Sequence, residues 1–487
     1  FRAGFALRLR EREGQIEATL KGLRSARDDV ADRREISEPL PKGGLEGLKA
    51  LADATGSVGT RVRDVAGVQP LRPLFEVRTS RRRYAVRSRD SAAAVGEIAL
   101  DEARFPRANG NRRPIILTRV ELEAAGSDTT PLERLAQRLS TECGLHPAAE
   151  NKFAVGLRSA SLEPPRQGQS GRKAEPLQAA MDASTRTGEF AAATLQRLLD
   201  DWQAHEPAAR LGESPEALHA LRITGRRMDT VISLFEAYLP AGLRKSRPRL
   251  KSLLDTLGAV RDADIRLEMA SRFRGTLPEG SRPALDPLLR QLESERGEAR
   301  AAMLRSLDAK PARRWLDTLP SQLARVAPAR SSSRNGAALS AVPDLIRGRY
   351  RKLRKCASRL TPESPLSEYH EVRVRTKQLR YALEIAAPTY GGAADEMLAA
   401  LRKLQSTLGT QRDAGAMEEY LTQLATRAPA GFTPEALFVT GKMAQMHARE
   451  AARLRRKVEK PWRKVRGKRW KALRSRMQEA SADPRRP

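Results

Sequence analysis

Apolar and polar residues alternate one by one over short stretches in the first third of the chain and fall at helical spacing after it. In Phe5-Ala-Leu-Arg-Leu-Arg10 the odd positions are apolar and Arg8 and Arg10 share the other face; in the segment Ile16 to Lys21 the polar face carries Glu17, Thr19 and Lys21. A period of two predicts half-buried strands for both. Leu74 to Arg78 and Arg83 to Val86 read as a hairpin turning at Thr79-Ser80, Val95 to Leu100 as a further strand, and Ile116 to Glu123 as a long one with Arg119, Glu121 and Glu123 on one face. Thr130-Pro131 opens a short helix through Leu139. The period then changes, and Glu189 to Trp202, Pro215 to Tyr238 and Ser367 to Ala387 each predict a helix of several turns. Two Pro-, Gly- and Ser-rich stretches, Glu163 to Pro176 and Ala327 to Gly336, interrupt the patterns and read as linkers.

Charge adds what the pattern leaves open. The 487 residues hold 90 Lys+Arg against 59 Asp+Glu, a formal +31, so the expected partner is a polyanion. Residues 201–487 account for most of the excess, with 56 Lys+Arg and 32 Asp+Glu, a net +24. A hydrophobic content of 40% is too high for a disordered polycation, and 4% aromatics supply few stacking platforms for single-stranded nucleic acid, which favours phosphate over bases. Cys143 and Cys356 stand far apart, so neither a thiolate zinc site nor a disulfide framework is implied, and a reducing cytosol is the expected location. No run of 18 apolar residues predicts a membrane span, and the opening Phe1-Arg2-Ala3-Gly4 leads us to expect further residues upstream. There is no GxxxxGK[ST] loop, GxGxxG turn, HExxH or CxxC pair. The basic run Arg453 to Arg476, with Trp462 and Trp470 inside it, reads as a solvated helix or an extension of the polyanion surface, with nucleic acid or lipid headgroups as the other possible partners.

The chain repeats itself at an interval of 151 residues. His219, Arg222, Arg226 and Arg227 correspond to His370, Arg373, Lys377 and Gln378, and Leu257-Gly258 with Arg261-Asp262 corresponds to Leu408-Gly409 with Arg412-Asp413. At 3.6 residues per turn, positions i, i+3 and i+7 lie within about 60°, so each copy forms one cationic stripe headed by a histidine. A lone RxxxR on a helix is ordinarily a solvated ridge. Two of only five histidines at equivalent positions favour a shared function, with histidine and arginine donating to phosphate. Gly258 and Gly409 are expected to permit close helix crossing, and Asp262 and Asp413 to orient basic side chains, since a carboxylate repels phosphate. His146, His205 and His447 stand alone and receive no role.

On these residues the helical part, about 187–480, resembles the CHAD domain: the HxxRxxxRR and LGxxRD patterns of the first copy, and the HxxRxxxKxxRY (His370 to Tyr381) and LQxxLGxxxD (Leu404 to Asp413) patterns of the second. The resemblance implies an all-α, two-repeat bundle (repeats about 187–326 and 340–480) binding inorganic polyphosphate through a basic central surface. His219, Arg222, Arg226, Arg227, His370, Arg373, Lys377 and Arg380 would be its ligands, with no cofactor needed and association with polyphosphate granules.

Residues 1–160 resemble the CYTH domain, the family of triphosphatases and class IV adenylate cyclases, through Ala6 to Arg10, Thr19 to Lys21, Arg34-Glu35, Phe75 to Tyr84, Glu121-Leu-Glu123 and Asn151 to Arg158. That implies an antiparallel β-tunnel in which Arg8, Arg10, Lys21, Arg83 and Lys152 grip a triphosphate, and Glu121 and Glu123 hold Mg²⁺ or Mn²⁺ or else pair with the arginines. The family's ExExK strand is missing ahead of Phe1, so we expect poor triphosphatase activity from the chain as written. The whole is an α+β multidomain protein with a linker at 161–186. Its leading function is polyphosphate binding; metal-dependent triphosphate hydrolysis and charge-driven nucleic-acid binding are the alternatives.

Overall fold

A computed structural model describes residues 5–22, 35–41, 43–67, 69–87, 94–106, 113–126, 129–148, 150–162, 181–326 and 336–482. The linker at 163–176, all but Gly336 of the one at 327–336, and Arg34 lie outside the described residues. The chain divides into two compact units, Phe1–Gly168 and Gln169–Pro487.

The first unit contains β1 (Phe5–Arg12), β2 (Gln15–Gly22), β3 (Glu35–Leu40), α1 (Gly44–Asp53), α2 (Ser57–Ala66), β4 (Arg78–Arg87), β5 (Ala94–Phe105), β6 (Ile115–Ala124), α3 (Thr130–Cys143) and α4 (Lys152–Ser159). The strands make two antiparallel three-stranded sheets, β1-β2-β3 and β4-β5-β6. β1 and β2 turn at Glu13 and Gly14, both at positive φ (52° and 79°), the backbone that a two-residue hairpin requires. Alternation then sorts the faces: Leu7, Leu9, Ala18 and Leu20 pack with Leu40 and with Leu51, Val58 and Val62 of the two helices, leaving Arg8, Arg10, Glu17, Thr19 and Lys21 on the polar side. The N-terminus of α2 has no side-chain cap of its own, and the buried Glu38 carboxylate of β3 supplies one, accepting from Val58 N at 2.9 Å and Gly59 N at 3.0 Å.

Two local expectations need correcting. Thr79-Ser80 is no turn: both residues lie inside β4 and pair with Ala103 and Glu102 of β5. Neither Gly nor Pro stands there to break the strand, and nine continuous pairings from Arg78 to Val86 outweigh the weak turn preference of Ser. The helix begun at Thr130 runs on to Cys143 and stops at Gly144, which takes the left-handed conformation (φ 64°) that favours glycine.

The second unit is helical: α5 (Thr187–Leu211), α6 (Pro215–Leu234), α7 (Ala241–Thr276), α8 (Asp286–Asp308), α9 (Lys310–Ala324), α10 (Ala338–Ala357), α11 (Leu366–Tyr390), α12 (Gly392–Arg427), α13 (Pro434–Arg455), α14 (Glu459–Arg466) and α15 (Lys468–Ala482). The 151-residue interval is written into these bounds. α7 and α12 each have 36 residues and start at Ala241 and Gly392. An isolated antiparallel bridge joins Arg186 to Ala337, again 151 apart, with Thr187 N donating to Gly336 O at 3.1 Å and Ala338 N to Thr185 O at 2.8 Å. Equivalent points of the two halves thus meet, as a local two-fold relation requires.

Most of the apolar stripes converge on one core that includes Trp202, Leu221, Leu257, Trp315, Leu379 and Leu408. A second core closes the far ends of α7 and α12 through Phe273, Leu288, Met417 and Met443. The basic C-terminal run is not a solvated helix. Trp462 and Trp470 are buried, and the Trp470 ring stacks on Tyr350 of α10 at 3.6 Å between centroids. The apolar face of α14 and α15 binds the tail to the core while its Lys and Arg residues stay outside.

Candidate anion-binding site

α6 and α11 each present one stripe, and the stripes run antiparallel against each other. His219 at the head of one feels the charges of Lys377 and Arg380 at the tail of the other, and His370 feels Arg226. Arg222 and Arg373, in the middle of the two stripes, lie within each other's field. One cationic row therefore results, built from His219, Arg222, Arg226, His370, Arg373 and Lys377.

Its side chains have few partners. The Nε–H groups of Arg222, Arg226 and Arg373 are buried and donate to no partner, and among the described residues none of these arginines, nor Lys377, makes a salt bridge. Burial, then the field of Arg226, holds Arg222 below its ordinary value. Arg373 is lowered chiefly by burial, with Asp413 opposing. Lys377 is pushed down to about 6, first by burial and then by Arg373, Arg222, Arg226 and Arg412. Both histidines are lowered, again by burial first and then by surrounding arginines. Two like charges 4 Å apart repel by about 4 kcal/mol at an effective dielectric near 20, so a row of this kind opposes folding unless an anion completes it.

Arg412 of α12 and Arg261 of α7 border the row, and the sequence reading did not include them. Arg412 reaches Asp262 at 3.1 Å and Asp413 at 3.4 Å. Burial pulls its guanidinium down, but the hydrogen bond and charge of Asp262 outweigh this and leave it above the ordinary value. The signal was present: both arginines occupy the same place in the two copies of the repeat. The aspartates orient a cation, as their spacing suggested. The glycines do not mediate helix crossing; a Cβ at Gly258 would meet nothing within 4 Å, and one at Gly409 would meet only the Arg373 guanidinium at 3.9 Å.

Arg227 and Arg380 must be taken out of the unpartnered row. Arg227 lies 3.0 Å from Glu384, Arg380 lies 2.5 Å from the same carboxylate, and Arg380 also donates to Gln405 at 2.7 Å. The single Glu384 carboxylate is shared by both, a pairing hidden in the sequence for Arg227, whose partner is 157 residues away.

In the first unit, Arg8 and Arg10 share a polar face with Lys21, which pairs with Glu35 across the sheet. Arg8 is held below its ordinary value by burial and then by Arg10, and its Nε has no partner. The other sheet forms an ion cluster. Arg81 meets both oxygens of Asp101 at 2.7 Å and Glu123 at 3.1 Å, and bonds Glu121; Lys152, one residue past the Asn151 cap of α4, bonds Asp101 and lies 2.8 Å from Glu121. Burial raises Asp101 and Glu121, but these cations prevail and hold both carboxyls below their usual range. Arg83 stands 3.5 Å from Glu97. Glu121 and Glu123 are thus partners of Arg81 and Lys152, the second of the two roles open to them. These carboxylates are engaged by Arg81 and Lys152, and we derive no step through a metal. Arg81 and Asp101 were missed because register alone decides which residue of Arg81-Arg82-Arg83 faces Asp101.

The fold and its charges define a protein of two units, an antiparallel strand unit whose sheets carry clustered cations and carboxylates, followed by a two-repeat helical bundle with a basic row. Family comparison agrees: residues 2–157 match the CYTH domain and residues 193–422 the CHAD domain, and the chain belongs to the CYTH–CHAD fusions. A crystal structure of the CHAD domain from the plant Ricinus communis is similar at 25% identity over 63% of this chain and 97% of that one, with a TM-score of 0.45. A structure of PptA from Streptomyces chartreusis is similar at 20% identity over 57% of this chain and 100% of that one, TM-score 0.45. No curated protein matches the chain. Among the described residues no helix is long and apolar enough to cross a membrane.

Proposed function

We propose that the helical unit binds inorganic polyphosphate along the row formed by His219, Arg222, Arg226, His370, Arg373, Lys377 and Arg412. The observation that carries this reading is the set of buried, partnerless guanidinium Nε atoms on Arg222, Arg226 and Arg373 around a lysine lowered to about 6. A phosphate chain offers a repeated anion with several acceptors per unit, and each charge-assisted hydrogen bond contributes about 1.5–3 kcal/mol. It has no bases to accommodate, which suits cations lying partly below the surface better than a duplex does. No cofactor enters. The unpartnered Arg8 beside Arg10 supports a second reading, in which the strand unit grips a shorter phosphate anion.

Titration of the full chain with polyphosphate, competed by DNA and RNA at matched salt, tests the first reading. Polyphosphate should displace both nucleic acids at physiological ionic strength. Equal competition, with the same steep salt dependence for all three polyanions, would instead mark charge-driven binding without a defined site.

A further inference from the structure

Glycine inside a helix destabilises it relative to Ala, and one use that offsets this cost is a neighbour too close for a side chain. Gly225 of α6 is such a case: a Cβ there would stand 2.6 Å from Leu254 Cδ2 and 2.8 Å from Trp202 Cζ3. Gly258 and Gly409 are not, since outside its own turn of helix a Cβ at the first would meet nothing within 4 Å and one at the second only Arg373 at 3.9 Å. They sit at equivalent positions of α7 and α12, next to Leu257 and Leu408, which face the core. One turn on, at i+3 and i+4, come Arg261-Asp262 and Arg412-Asp413; one turn back from Gly409, Gln405 accepts from Arg380. Gly409 therefore lies in the middle of the helix face that borders the cationic row, and the group nearest to its missing side chain is Arg373.

We propose that Gly258 and Gly409 are specificity-determining positions of the groove: they keep side chains out of the space that a linear phosphate chain occupies against Arg222, Arg373 and Arg412. This rests on the polyphosphate reading above and adds residues to it. The ligand, rather than a protein neighbour, is what comes too close for a Cβ, and close backbone approach to a ligand is a use that only glycine serves.

The test is a graded series at both positions in the full chain, Gly→Ala, Gly→Met and Gly→Leu, with Gly297→Leu as control. Gly297 is an exposed residue of α8 where a Cβ also meets nothing within 4 Å. Every substitution should hold or raise Tm, by about 2 °C for Ala. Affinity for inorganic polyphosphate should fall with side-chain size, by about tenfold or more at Leu in either position, while Gly297→Leu binds as wild type. If Gly409→Leu fails to fold, the Ala and Met variants at Gly258 decide. Folded Met or Leu variants that bind within about threefold of wild type would overturn the inference and leave polyphosphate binding standing. Wild-type protein that binds no polyphosphate would overturn the function first, and this inference with it.

Discussion

Arg412, from the second half of the helical unit, donates to Asp262 of the first half at 3.1 Å, although Asp413 lies next to it in sequence. By the repeat, Asp262 is the counterpart of Asp413, so one arginine takes both carboxylates. Its own counterpart, Arg261, has no salt bridge among the described residues. The pair links the halves at the edge of the cationic row and engages two carboxylates that would otherwise repel an incoming anion. Both partners are about a third exposed, which limits the stability of such a pair to about 0–1 kcal/mol. Arg412→Ala should therefore change denaturation little and reduce polyphosphate affinity by about tenfold or more. A large loss of stability with unchanged affinity would make the link purely structural.

A functional row that opposes folding should show it on removal. Arg222→Met replaces a buried, partnerless cation by an apolar side chain of similar length, and should raise Tm while removing about 10- to 100-fold of polyphosphate affinity. The triple change of His219, Arg222 and Arg226 to Ala should abolish most binding although His370, Arg373 and Lys377 remain, because the antiparallel stripes serve one ligand. Unchanged affinity at half the stoichiometry would mean two separate ridges.

Arg380→Ala should do the reverse. It removes one of the two cations on Glu384, which keeps its pair with Arg227, and the lost charge-assisted hydrogen bond costs about 1.5–3 kcal/mol. Chemical denaturation should register that loss, whereas affinity should move far less than in Arg222→Met. A variant of normal stability that fails to bind would return Arg380 to the site.

Lys377 gives the pH dependence. Its folded value, about 6, lies far below the ordinary lysine value of 10.5. Between those limits the unfolded chain holds the extra proton, so stability of the free protein should rise with pH from about 6 upward, and Lys377→Met should flatten that slope. An anion favours the charged lysine, so binding at pH 7–8 should take up protons and weaken as pH rises. Calorimetry in two buffers of different ionisation enthalpy measures the uptake; Lys377→Arg should bind and eliminate this contribution. Uptake identical in Lys377→Arg and wild type would assign the proton elsewhere. His219 and His370, both lowered from 6.5, charge only at more acid pH.

In the strand unit, Asp101 is fully buried between Arg81 and Lys152. Its folded pKa is depressed, so its contribution is present above the ordinary carboxylate value near 4 and is lost as pH falls through the folded value. Asp101→Asn should destabilise the unit by about 3 kcal/mol at pH 7 and remove that part of its acid sensitivity, followed by circular dichroism.

Local rules carried much of this protein. Alternation in Phe5 to Arg10 and Ile16 to Lys21 determined which faces are polar, because strand side chains alternate whatever lies beyond the sheet. The repeat of His219 and His370 marked two stripes, because helical spacing puts i, i+3 and i+7 together in any context. Tertiary structure alone decided which cations are free. Arg222 and Arg380 are both arginines on a helix of the same motif, yet one has a buried, partnerless Nε and the other meets Glu384. Register chose Arg81 over Arg83 to hold Asp101, packing drew Trp462 and Trp470 of a basic tail into the core, and the crossing of α6 with α11 made one row of two stripes. Each of these depends on residues distant in sequence whose approach is set by the packing of whole elements, and no local spacing encodes it.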